Sequence, residues 1–127
     1  MSIDHPLIAV VDDDASVCTG VKRLLRSAGL ETATYSSGIE FLASLETTMP
    51  DCAVLDIRMP QMTGLEVLGK VRARGLTLPV IFITAEERLE RKGDAIVAGG
   101  FAFLQKPFDG DLLVATVMSA LGSSRKA

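Results

Sequence analysis

Short apolar runs alternate along this chain with longer stretches whose apolar residues recur every three or four positions. Residues 7–11 are uniformly apolar and are followed at once by Asp12, Asp13 and Asp14. A run this short reads as a buried strand. Over 16–28, Val17, Cys18, Val21, Leu24, Leu25 and Ala28 trace one face of a helix, which Gly29 stops. Residues 31–35 alternate polar and apolar side chains, as a half-exposed edge strand does. The stretch 36–45 opens on Ser36, Ser37 and Gly38 and carries Ile39, Phe41, Leu42 and Leu45 as a short helix.

The alternation then repeats. Residues 52–55 form a buried-type strand ending in Asp56. A loop with Pro60 and Gly64 leads to a helix holding Leu65, Val67, Leu68 and Val71, closed near Gly75. Pro79 opens a strand over 80–83 that ends at Thr84. Residues 86–98 are helical by composition, but their apolar face is thin, with Leu89, Ile96 and Val97, and Gly93 interrupts it at a cost of ~1 kcal/mol relative to Ala. A fifth strand over 101–104 precedes Lys106 and Pro107, and a last helix over 109–121 turns Leu112, Leu113, Val117, Ala120 and Leu121 inward. The polar tail 122–127 is expected to fray.

Strands alternating with helices predict a parallel sheet covered on both faces. A closed barrel needs eight such units and the chain supplies five, so the expected fold is an α/β, open, doubly wound sheet. No linker or repeat divides it, so 1–127 is expected to be a single domain with its core over about 7–121.

Composition removes several function classes. The 13 basic and 16 acidic side chains give a net charge of −3, the wrong sign for a nucleic-acid surface. With no Trp and one Tyr there is little to stack bases on. The only histidine, His5, has no partner set for zinc. Cys18 and Cys52 lack metal spacing and read as small buried hydrophobes. The longest apolar run, 7–11, is far short of the ~20 residues that span a bilayer, and no secretory signal opens the chain. The expectation is a soluble, cytoplasmic protein without direct contact to nucleic acid or membrane.

In doubly wound sheets, ligands bind at the carboxyl ends of the strands. The residues that follow the predicted strands there are Asp12, Asp13 and Asp14, then Asp56, Thr84 and Lys106. Carboxylates converging to ~4 Å repel by ~4 kcal/mol at an effective dielectric of 20, so such a cluster calls for a cation. A few hard oxygen ligands suit Mg²⁺ better than a calcium cage. Lys106 adds a cation and Thr84 a hydroxyl donor. The set is suited to transferring a phosphoryl group to a carboxylate. Asp14 is read as the cap of the first helix rather than a metal ligand, and a cis Lys106–Pro107 bond is expected at the end of the fifth strand.

The segments LIAVVDDD, VLDIRMPQMTG, VIFITA and FLQKPF resemble, in order and spacing, the receiver (CheY-like) domain of bacterial two-component response regulators. DIRMP and FLQKPF are nearest the nitrogen-fixation regulator type. The resemblance covers about 7–121. It implies a flavodoxin-like sheet with strand order 2-1-3-4-5. It also implies that Asp56 is the phosphoacceptor and that Mg²⁺ is held by Asp13 directly, Asp12 mostly through water, Asp56 and the main-chain carbonyl of Arg58. Thr84 and Lys106 would contact the phosphoryl oxygens, and Thr84 and Phe103 would form the switch pair. The implied partners are a sensor histidine kinase or phosphotransfer protein, and an output domain or effector on the face made by 86–98, 101–104 and 109–121. A phosphorylation-dependent homodimer is a further option. Arg58 and Glu86, each two residues beyond a site residue, carry opposite charges and are expected to tune how long the phosphoryl group survives.

Three other functions compete. A hydrolase or phosphotransferase with an aspartate nucleophile typically has an acid two residues later, where this chain has Arg58. A flavin module would need a phosphate-cradling loop after the first strand, where three aspartates stand. A receiver that serves only for interaction would lack site residues, and none is missing. The thin apolar face of 86–98 makes it the expected low-stability element. In hydrogen exchange its amides should open before those of 80–83; equal protection of the two segments would contradict this reading.

Overall fold

The computed structural model describes residues 5–85 and 99–125. The predicted helix 86–98, and Glu86 with it, lies outside the described residues. The elements run β1 (Leu7–Val11), α1 (Ala15–Ser27), β2 (Glu31–Tyr35), α2 (Gly38–Ser44), β3 (Cys52–Asp56), α3 (Gly64–Ala73), β4 (Val80–Thr84), β5 (Ala102–Gln105) and α4 (Gly110–Arg125). All strand pairs are parallel and the order is 2-1-3-4-5, as expected.

Burial explains the run lengths. Every residue of β3 and β4 is buried, since strands in the middle of the sheet are covered on both faces and need apolar side chains throughout. β2 sits at the edge and keeps Glu31 and Thr34 exposed, which is why its sequence alternates. The pleat sends alternate residues to two separate cores. Ala9, Val11, Ala53, Leu55, Val80 and Phe82 meet α2 and α3 through Phe41, Leu42, Val67, Leu68 and Val71. Ile8, Val10, Val54, Ile81 and Ile83 meet α1 and α4 through Val21, Leu25, Leu113, Val117 and Ala120. Both cysteines are free thiols in this second core, and burial pushes the Cys52 thiol up to about 12.

The helix starts are capped by their own side chains. Asp14 accepts from the Ser16 hydroxyl and from the amides of Ser16 and Val17, as its position before α1 predicts, and those bonds hold its carboxyl below the usual range. Ser37 caps α2, and Thr63 and Glu66 form a reciprocal capping box at α3. The inward stripe of α4 ends at Leu121, and the helix continues to Arg125. No proline interrupts the i→i−4 ladder there, so backbone bonding outlasts the apolar face.

Leu113 is fully buried and ties α4 to the sheet, whereas Leu112, expected to turn inward with it, is 51% exposed because one step along the helix rotates it away from the core. Leu113→Ala should lower the unfolding free energy by about 2–5 kcal/mol in a urea titration, with the slope unchanged.

Candidate functional site

The site is built at the carboxyl ends of β1, β3, β4 and β5. In-register parallel pairing levels these ends: Val11 lies beside Leu55, Asp56 beside Ile83, and Thr84 beside Gln105. The residue at or just past each end therefore comes to one rim. Asp12 is 1% exposed, Asp56 5% and Thr84 0%, whereas Asp13 faces solvent.

Backbone bonds hold the acids in place. The Asp12 amide donates to the Tyr35 carbonyl at 3.1 Å, and Asp12 Oδ1 accepts the Asp14 amide at 2.9 Å. The Ile57 amide donates to the Ile83 carbonyl at 3.0 Å, so the chain stays in the sheet through Asp56. The Arg58 amide then turns back to Asp56 Oδ1 at 3.3 Å. The Lys106 amide donates to the Thr84 carbonyl at 2.7 Å, and the bond that follows, Lys106–Pro107, is cis, as expected.

From that anchor the Lys106 ammonium spans both buried carboxylates. It donates to Asp12 Oδ2 at 2.8 Å and lies 3.6 Å from Asp56 Oδ2. Burial alone would lower its pKa, but the bond to Asp12 and the attraction of Asp56 outweigh burial and hold it above the ordinary lysine value. Asp56 is pushed up to about 6, first by burial and next by the charge of Asp12, with Lys106 acting against both. One oxygen each from Asp12, Asp13 and Asp56 lies within 4.8 Å of the others. These are hard, anionic ligands with no nitrogen or sulfur among them, and Lys106 leaves part of their charge unbalanced. The donor set therefore fits a small divalent cation such as Mg²⁺.

The family model for the response regulator receiver domain matches residues 8–118. The chain belongs to this family. Receiver domains of two-component systems are phosphoacceptor switches rather than conventional enzymes. Among relatives, the receiver is 43% identical over 115 residues to the DNA-binding transcriptional regulator NtrC of Salmonella typhimurium, covering 91% of this chain and 24% of that protein. It is 36% identical over 121 residues to the response regulator protein TmoT of Ectopseudomonas mendocina, covering 95% of this chain and 55% of that one. It thus spans about a quarter of the first relative and about half of the second. A solved response regulator receiver protein from Burkholderia phymatum superposes with a TM-score of 0.83 at 46% identity, over 92% of this chain and 95% of that one.

The structure brings Asp12, Asp13, Asp56, Thr84 and Lys106 of the receiver to one rim. Arg58 stands on the adjoining loop with its side chain exposed. Phe103 is set apart, half-buried on β5 against the α2–α3 core, beside Phe82. One feature of the rim had no sequence signal. An open, apolar cavity of about 500 Å³ lies next to Lys106, lined by Val17, Val21 and Leu24 of α1 and by Ala85, Pro107 and Phe108. Its residues come from three separate segments, on α1, just after β4 and just after β5, each of which reads by itself as helix face or loop.

The raised pKa of Asp56 makes its ionisation work against folding. The fold gains relative to the unfolded chain below the ordinary carboxylate pKa, and that gain is lost as pH rises through about 6. In metal-free buffer Asp56→Asn should therefore be more stable than the native chain by about 1 kcal/mol near neutral pH, allowing for solvent at the rim. The difference should vanish near pH 4, and denaturant titrations across this range check it.

Proposed function

We propose that Asp56 of this receiver accepts a phosphoryl group from the phosphohistidine of a sensor kinase or phosphotransfer protein, in a Mg²⁺-dependent reaction that resets an output surface. The observation that carries this reading is the buried pair Asp12 and Asp56, bridged by Lys106 at 2.8 and 3.6 Å. In the transfer, an Asp56 carboxylate oxygen forms a bond to phosphorus as the phosphorus–nitrogen bond breaks, and the imidazole leaves with the electron pair. Asp12, Asp13, Asp56 and the Arg58 main-chain carbonyl would hold Mg²⁺, which supplies charge neutralisation on the phosphoryl oxygens. Lys106 stands where it balances the negative charge gained on transfer. Thr84, buried at the end of β4, offers its hydroxyl to a phosphoryl oxygen, and Phe103 follows as the switch aromatic. The same residues orient water for the later hydrolysis of the acyl phosphate, so the domain assists both its loading and its reset.

The apolar cavity is the seat for the phosphodonor protein, because it is lined in part by Lys106, whose ammonium lies 3.6 Å from Asp56, and takes apolar side chains. For output, Phe101, Leu112 and Met118 are large apolar side chains at least 39% exposed on β5's approach and on α4, which suits contact with an effector, an output domain or a second copy. Among the described residues no helix is long and apolar enough to cross a membrane, which accords with action in the cytoplasm. The chain serves as one domain throughout its length.

Incubation with acetyl phosphate and Mg²⁺ should add one phosphoryl mass to the protein, removable by hydroxylamine and localised to Asp56 by peptide mass spectrometry. Asp56→Asn should abolish it, and chelation of the metal should slow it at least ~100-fold. Labelling of the variant at the native rate would refute the assignment.

A further inference from the structure

We infer that Gly64 is a positioning residue for Asp56: the absence of a side chain at 64 lets the first turn of α3 rest directly on the Asp56 peptide group and so fixes the direction of its carboxylate. The inference rests on Asp56 as the phosphoacceptor and adds a determinant outside the rim.

A Cβ built at Gly64 would collide with the Asp56 carbonyl oxygen and stand 3.1 Å from both the Asp56 carbonyl carbon and the Ile57 Cα. These are backbone atoms at the end of the central strand, tied into the sheet, so they cannot swing aside as the end of a side chain does. The Ile57 amide is bonded to Ile83 at 3.0 Å, which holds the Asp56–Ile57 peptide from the other side. Gly64 is equally constrained. Its amide donates to the Ile57 carbonyl at 2.9 Å, and the Thr63–Glu66 capping box locks the turn it begins. The intervening loop is tightly folded, with Gln61 at φ 70° and the Met62 amide bonded to the Pro60 carbonyl at 2.7 Å. Buried Ile57 and Met59 pin it beneath.

The loop therefore leaves Asp56 and closes on the same peptide group eight residues later, at Gly64. A methyl group at 64 forces the two backbones apart, and the Asp56 peptide is the part that carries the reacting side chain. Its carboxylate is oriented by the Arg58 amide at 3.3 Å and Lys106 at 3.6 Å, contacts already near their limit. Displacements of this order misalign reacting groups at a cost of ~10–100-fold in rate.

Gly69 provides the internal control. It lies in the same helix with open space where a Cβ would go. Gly69→Ala should raise the melting temperature through helix propensity and leave labelling of Asp56 by acetyl phosphate unchanged. Gly64→Ala should slow labelling at least about tenfold at saturating Mg²⁺. It should also shift the Arg58 amide resonance of the metal-free protein, which Gly69→Ala leaves in place. In the double variant Gly69→Ala offsets the stability lost at 64, and slow labelling should persist. Native-rate labelling by the double variant, or its failure to fold, would overturn the inference, since either result makes the contact a matter of fold alone. If the native chain itself is not labelled on Asp56, the phosphoacceptor reading fails, and the Arg58 resonance still decides the geometry.

Discussion

Two carboxylates that are nearly inaccessible to water and close to each other cannot both stay ionised without a compensating charge. In this receiver Lys106 supplies part of it. Its ammonium reaches Asp12 and Asp56 from the far end of the chain, so β1, β3 and β5 are joined at one point by electrostatics as well as by the sheet. The compensation is incomplete: Asp56 still stands at about 6. That residual cost is held by the rest of the fold, and it keeps the rim ready for a cation and for a phosphoryl group.

The sheet makes this arrangement rigid. Parallel strands in register end at one level, and the interior strands are clamped by apolar side chains on both faces. Each acid is then fixed by backbone amides: Asp12 by that of Asp14, Asp56 by that of Arg58. The loop after β3 returns to its own starting point through Gly64, which turns a strand end into a closed, braced corner. Pre-organisation of this kind lowers the reorganisation needed when charge moves in the transfer.

The sequence was sufficient for most of the architecture, for a local reason. Buried parallel strands must be apolar throughout and edge strands must alternate, so 52–56 and 31–35 announce their places in the sheet. Asp14 and Ser37 announce helix starts because a cap bonds to amides two or three residues away. The acids and Lys106 were legible as a group once the rule about strand ends was applied, and the family motifs set their roles as expectations.

What the tertiary structure decided lies in contacts between distant segments. The order of burial, with Asp12 and Asp56 enclosed and Asp13 exposed, follows from how four strand ends meet and has no signature in the run DDD. The apolar cavity beside Lys106 exists only because α1 and the loop after β5 come together. The continuation of α4 to Arg125 depends on its own backbone ladder, which the apolar stripe does not record. Gly64 reads in the sequence as a loop residue; the lack of room for a Cβ between it and the Asp56 carbonyl is a property of two backbones packed in space. Sequence patterns encode which face of an element is apolar and how it begins, whereas distances between elements arise only when the faces are packed together.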